Sequence, residues 1–235
     1  MEFEFITPQT DSRMVVLVIG RSGIGKTSLL RTIPEGEPVF TISAEAGLLS
    51  VRDLVTSGRV QGIVARRIDD IEAALDNLEK NPEWRIRFRW IFVDSLTELS
   101  AQCLKHYQRK FPDPKDKWNM WYAYEGRFME VVRRVRNLQG FDVILTCLDT
   151  LELDYEKRRV IMPDIQLKRL QKELLRYFDE AFYMTEAPVE GGRFRRYFVT
   201  QPYNDLPAKD RSGMLALTEP ADLGEVKRKI FGGIQ

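Results

Sequence analysis

The sequence predicts an α/β fold: a mostly parallel sheet flanked by helices on both faces, with antiparallel strands at one edge. Three observations predict it. The apolar run Met14-Val15-Val16-Leu17-Val18-Ile19 feeds a glycine-rich turn, and Ser28-Leu29-Leu30-Arg31 opens a helix behind that turn. Strand-like apolar runs then alternate with segments of helical period along the chain. Two late strand-like runs, Ala181–Thr185 and Phe194–Thr200, follow one another without a helix between them, as an antiparallel edge pair does.

Each element has a local reason. Val15–Ile19 reads as a buried strand, and the helix starting at Lys26 is ended by Pro34 and Gly36. Val39-Phe40-Thr41-Ile42 forms a second strand, and Val60–Val64 a short third. Asp69–Lys80 places Ile71, Ala74, Leu75 and Leu78 on one helical face, with Asp69 or Asp70 as its N-cap. Arg85-Ile86-Arg87-Phe88-Arg89 alternates basic and apolar residues and reads as the wet face of an incoming strand. Trp90–Asp94 is a buried strand ending in a carboxylate. Leu96–Lys110 is helical, 111–117 a proline-broken loop, and Met120–Leu138 a long helix capped by Gly140. Val143–Cys147 is the next buried strand, Leu148–Gln166 a polar hairpin or loop, and Leu167–Phe178 a helix. The expected organisation is one domain over residues 1–235, with a core at about 14–217 and a short helical tail at 218–235.

Composition narrows the function classes. Across 235 residues, 43% are hydrophobic and 30% charged, as in a soluble globular protein, and a net charge of +1 supplies no global basic field for nucleic acid or anionic membrane. No apolar run is long enough to span a bilayer, and Met1-Glu2-Phe3-Glu4-Phe5 puts acids where a secretion signal would carry bases, so a cytoplasmic location and no membrane partner are expected. Cys103 and Cys147 are too few for a disulfide framework. His106, the only histidine, makes histidine-dependent triads improbable.

The turn itself is the sharpest signal. Gly20-Arg21-Ser22-Gly23-Ile24-Gly25-Lys26-Thr27 spells G-x-x-x-x-G-K-[ST] between a strand and a helix. Its glycines let successive N–H groups face one anion, and the helix start at Ser28 adds partial positive charge. Residues Gly20 to Ser28 are thus expected to hold a nucleoside triphosphate, ATP, with Lys26 reaching the β- and γ-phosphates and the Thr27 hydroxyl on Mg²⁺. Asp94, at the end of a buried strand, is the expected second Mg²⁺ ligand. Glu45, just past the second strand, lies between these two in sequence and is a candidate to polarise the water that hydrolysis needs. Late in the chain, Lys209-Asp210-Arg211 holds cations at i and i+2, which point the same way on extended backbone.

These signals, in this order, resemble a minimal RecA/KaiC-type ATPase core. The stretch Phe40–Glu45 is similar to the strand and Ala-Glu step whose glutamate is the catalytic base in RecA-type ATPases. The basic pair Lys209 and Arg211 resembles the K-x-R pair that reaches a neighbouring subunit's γ-phosphate in RecA-like oligomers. More closely, Ala208-Lys209-Asp210-Arg211 and Phe178–Phe182 look like phage-encoded nucleotide-binding proteins of the AAA-like family that includes the Sak-type single-strand annealing ATPases. The resemblance spans roughly residues 14 to 217. It implies a Mg²⁺-dependent ATPase, a homo-oligomer (ring or filament) with Lys209 and Arg211 acting in trans, single-stranded DNA and a single-strand DNA-binding protein as partners, and a host cytoplasm if the chain is phage-encoded. One departure stands out: RecA proteins follow the strand equivalent to Val143–Cys147 with a glutamine, whereas this chain reads Cys147-Leu148-Asp149-Thr150, with Thr146 the nearby polar group.

In RecA-like cores DNA meets two loops, whose counterparts here are 110–118 and 148–166. The first carries Lys110, Lys115, Lys117 and Trp118, the second Tyr155, Lys157, Arg158 and Arg159, and such interleaved bases and aromatics suit single strands. Asp113, Asp116, Asp149, Glu152, Asp154 and Glu156 offset that charge. Recombination or annealing on single-stranded DNA is therefore the leading expectation, and a nucleotide-gated protein–protein switch or loader without DNA activity is the alternative. A small-molecule kinase would need an arginine-bearing lid and an acceptor pocket, and the sequence offers neither.

Overall fold

A computed structural model describes residues 13–232 other than 46, 154 and 155. The strands are β1 (Val15–Ile19), β2 (Val39–Ser43), β3 (Val60–Val64), β4 (Trp90–Asp94), β5 (Asp142–Cys147), β6 (Asp149–Leu153), β7 (Arg159–Pro163), β8 (Glu180–Val189), β9 (Arg193–Val199), β10 (Lys209–Asp210) and β11 (Thr218–Pro220). The helices are α1 (Arg52–Thr56), α2 (Ile68–Lys80), α3 (Pro82–Arg87), α4 (Leu96–Lys110), α5 (Lys117–Asn137), α6 (Lys168–Glu173) and α7 (Leu223–Phe231).

The main sheet runs β11-β9-β8-β1-β5-β4-β2-β3, with β10 paired to β8 and β6–β7 forming a separate hairpin. From β8 to β3 all neighbours along this path are parallel, while β9, β10 and β11 pair antiparallel at the other edge. This is the expected fold class. β1, β2, β4 and β5 are buried along their whole length, because helices cover both faces. One face packs Leu17, Ile19, Phe40, Val93 and Leu145 against α2, α4 and α5 through Leu75, Leu99 and Phe128. The other packs Val16, Val18, Trp90 and Phe92 beneath Leu29, Leu30 and the α7 residues Leu223, Val226 and Ile230.

Several local expectations change. Arg85–Arg87 belongs to α3, not to a strand: the Asn81 side chain caps Glu83 N at 3.0 Å and Pro82 takes the first helical position. Trp84 and Phe88 then pack their rings at a tilt against Phe40, which holds the segment to the core. Arg67, not Asp69 or Asp70, is the N-cap of α2; Asp70 sits at the third position and accepts Arg67 N at 3.0 Å. The segment after Lys26 is a 3₁₀ helix, Thr27–Thr32, and not a full α-helix. Leu167–Phe178 divides into α6 and a 3₁₀ turn, Leu174–Tyr177. The stretch expected as a helical tail opens with β11, whose Glu219 pairs with Phe198 before α7 begins. The segment 148–166 is a hairpin, and its Tyr155 and Asp154 lie outside the described residues.

Candidate nucleotide site

The site forms at the carboxyl edge of the parallel strands, where an open α/β sheet presents its loops. β1 ends at Ile19 and the backbone turns at once: Gly20 N donates to Cys147 O at 3.2 Å, fixing the loop to the end of β5. Gly23 and Gly25 adopt φ of 75° and 101°, which side chains other than glycine rarely take, so the loop closes into a cradle of N–H groups. Lys26 is buried, and its Nζ donates to Gly20 O at 2.7 Å and Arg21 O at 3.0 Å. Burial lowers its pKa from the ordinary lysine value, while nearby Asp94 foremost pulls it back up.

Strand register brings the carboxylates in. Because Ser43 of β2 lies beside Asp94 of β4, the residues that leave both strands, Ala44-Glu45 and Ser95, emerge together. Ala44 N donates to Asp94 O at 2.7 Å, and Ser95 Oγ donates to Glu45 Oε1 at 2.5 Å. Thr27 Oγ1 donates to Asp94 Oδ2 at 2.6 Å, and Thr146 Oγ1 donates to the other Asp94 oxygen. A hydroxyl and a carboxylate held together beside a phosphate cradle form a hard oxygen donor set of the kind Mg²⁺ takes, with phosphate oxygens and water completing the shell. Among the described residues no group of three or more His, Cys, Asp or Glu side chains could hold a metal ion.

These residues line one pocket of about 360 Å³, which holds Ser22, Gly23, Gly25, Lys26, Thr27, Ser28, Glu45 and Asp94. Gly20, Arg21 and Ile24 shape the loop behind it; the exposed Arg21 side chain pairs with Glu186, and Ile24 is buried under the loop. The structure therefore gathers the predicted loop, Glu45 and Asp94 around a single cavity. It does not bring Lys209 and Arg211 there. β10 pairs Asp210 with Glu180, which lies level with Val16 near the start of β1, whereas the loop follows the end of that strand. Lys209 Nζ instead donates to Phe178 O at 2.5 Å, and Arg211 pairs with Asp179 at 2.6 Å.

A cation absent from the sequence expectations takes part. Arg196 of β9 lines the pocket, and an added Cβ on Gly25 would lie 2.5 Å from its Nη1. β9 pairs Arg196 with Glu186, yet Glu186 is bonded to Arg21, which leaves the Arg196 guanidinium leaning over the loop. The alternation Arg193-Phe194-Arg195-Arg196 marks an exposed strand, but only the β8–β9 pairing reveals which of its cations faces the loop. Gly25→Ala is therefore expected to meet unfavourable φ, worth about 1–3 kcal/mol, and to push the flexible Arg196 guanidinium aside, weakening ATP binding by about tenfold. Titration with a fluorescent ATP analogue measures this, and parental affinity would contradict it.

Residues 12–212 match the family described as an AAA domain. The chain belongs to that family. This AAA domain is also similar to a solved structure, the flagellar accessory protein FlaH from Methanocaldococcus jannaschii, at 11% identity and a TM-score of 0.42, over 88% of this chain and 86% of that one. That likeness is too slight to bear on site or function. No curated protein matches the chain. As an AAA domain with a complete phosphate loop, it is a nucleotide-binding P-loop protein of the ATPase class. Among the described residues no helix is long and apolar enough to cross a membrane.

Proposed function

We propose that this AAA domain hydrolyses ATP with Mg²⁺ and acts on single-stranded DNA in recombination or strand annealing, as a Sak-type, phage-encoded protein working in its host's cytoplasm. The observation that supports hydrolysis best is the shared cavity of Lys26, Thr27, Asp94 and Glu45. Mg²⁺, held by Thr27 and Asp94 with the phosphates, would offset charge on the phosphoryl oxygens. Lys26 leaves its loop carbonyls for the β- and γ-phosphates. Glu45 takes a proton from a water whose oxygen bonds the γ-phosphorus as the bridging P–O bond to ADP breaks. The test is phosphate release with and without single-stranded DNA: stimulation supports the reading, and robust turnover with no DNA retention removes its DNA half.

In this reading the chain works as one domain in a ring or filament, and Lys209 and Arg211 reach the next protomer's γ-phosphate. Their distance from the loop of their own chain is what a trans role requires. Arg211→Ala is then expected to act dominantly, lowering turnover of mixed oligomers by more than its mole fraction in a titration against the parent. Turnover that falls only in proportion would remove the trans role. A second reading, a nucleotide-gated protein–protein switch, draws on Leu151 and Leu153, which are exposed on the β6–β7 hairpin beside the site. Apolar residues on an exposed hairpin suit a protein partner. Retention of a dedicated protein, with no oligonucleotide shift, would favour it.

A further inference from the structure

A second and larger cavity, about 800 Å³, opens beside the nucleotide pocket and shares Glu45 with it. Its walls come from the carboxyl ends of β2 and β3 and from one face of α4, so it lies on the same sheet edge as the phosphate loop. Arg66 and Arg67 enter from the β3–α2 connection, and Lys105, Arg109 and Lys110 from the last two turns of α4. The loops that the resemblance assigns to DNA share only Lys110 with this cavity.

Five cations, Arg66, Arg67, Lys105, Arg109 and Lys110, line it against two carboxylates, Glu45 and Glu98, and Arg67 is paired with Asp70, so the cavity keeps a surplus of positive charge where the neighbouring surface is neutralised. On the adjoining α2–α5 seam, Arg127 pairs with Asp69 and Glu72, and Arg134 with Asp76 and Glu79. Among the described residues, Arg66, Lys105 and Arg109 have no ion pair, although all are exposed and free to find one. Lys105 and Arg109 stand at i and i+4, a spacing at which like charges oppose each other, over about 6 Å of helix. The cations share the cavity wall with apolar Val64 and Ala101, a mixture that suits a chain alternating phosphate with sugar and base.

The same helix touches the hydrolytic carboxylate's support. Gln102, one turn before Lys105, donates from Nε2 to Ala65 O at 3.2 Å and to Ala44 O at 3.4 Å. Ala44 directly precedes Glu45, and Gln102 Oε1 is buried without a partner among the described residues.

We infer that this basic cleft binds the phosphodiester backbone of a single nucleic-acid strand, and that Gln102 is a positioning residue that transmits its occupancy to Glu45. The inference rests on the proposed DNA role and adds where the strand lies and how it is sensed. The test measures fluorescence anisotropy of a labelled oligothymidylate across a salt series, with phosphate release alongside. The double variant Arg66→Ala/Arg109→Ala should lose about tenfold or more in affinity and flatten the log–log salt slope by about 1.4, the value for two phosphate contacts on a single strand. Both side chains are exposed, so it should melt as the parent does. Gln102→Ala should keep oligothymidylate affinity and lose the stimulation of hydrolysis, a split that a purely structural glutamine would not give. Parental affinity and slope in the double variant, with loss instead in Lys115→Ala/Lys117→Ala, overturn the cleft and leave the DNA role standing. No binding by the parent protein removes the DNA role itself, and the cleft with it. Equal competition by oligoglutamate overturns the phosphodiester assignment in favour of an acidic peptide.

Discussion

Glu45→Gln should cut steady-state phosphate release by about 10²–10⁴-fold, the usual contribution of a general base, while ATP stays bound. Glutamine keeps the length of the side chain and can still accept the Ser95 hydroxyl bond, so the β2 exit and the cradle should stay in place. What it loses is the capacity to take a proton from water. In the proposed reading nucleotide affinity rests on Lys26, the loop N–H groups and Thr27, and the bonds Lys26 and Thr27 make go to Gly20 O, Arg21 O and Asp94, not to Glu45. Single-turnover phosphate release and ATP affinity on the same preparation separate the two effects. If release continues at the parental rate, Glu45 is no base, and its place beside Asp94 is only structural. Ser95→Ala refines the test: it frees the Glu45 carboxylate without removing it, and should change the rate much less than Glu45→Gln.

How much of this could be read from residues alone depended on whether the determinant was local. β1 is an unbroken apolar run, and β4 and β5 are apolar except for Asp94 at the end of one and Asp142 and Thr146 in the other; such runs become parallel strands wherever both faces are covered. The glycine pattern of the loop carries its own geometry, since Gly23 and Gly25 must take positive φ. Glu45 was legible because a residue just past a strand must emerge at the sheet edge where the loop sits. Arg196 was not, since its role follows from the β8–β9 register and from the diversion of Glu186 to Arg21, both contacts over long sequence separation. The α3 segment misled through its alternating arginines: Asn81-Pro82 starts a helix there, and Trp84 and Phe88 find Phe40 only in the folded chain. The basic cleft was invisible for the same reason, as Arg66 and Arg109 come to line one cavity only when β3 closes the sheet edge beside α4.

The antiparallel edge carries a titration that should show in stability. Glu180 is buried at the start of β8, accepts Ser212 N at 3.0 Å through Oε1, and leaves Oε2 without a partner among the described residues. Burial foremost, then the negative charge of Asp210 and Asp179, pushes its pKa from 4.5 to about 7, against the pull of the Ser212 bond. A carboxyl whose folded pKa lies above its unfolded value holds more protons folded than unfolded, so the contribution of Glu180 to stability is full below pH 4.5 and is lost as pH rises through about 7. The gap is worth at most about 3 kcal/mol, less whatever relaxation and water entry recover. Glu180→Gln copies the neutral form: its carbonyl can accept from Ser212 and its amide can donate toward Asp210. The variant should therefore match the parent near pH 4.5 and outlast it in urea at pH 8, with the difference opening between those values. Lys209 and Arg211 stand on the same edge, bonded to Phe178 O and Asp179, so ionised Glu180 is also set among cations that would steady it if they swung inward. A stability gap that stays constant across the range would mean that they do, and that Glu180 is ionised in the folded protein throughout.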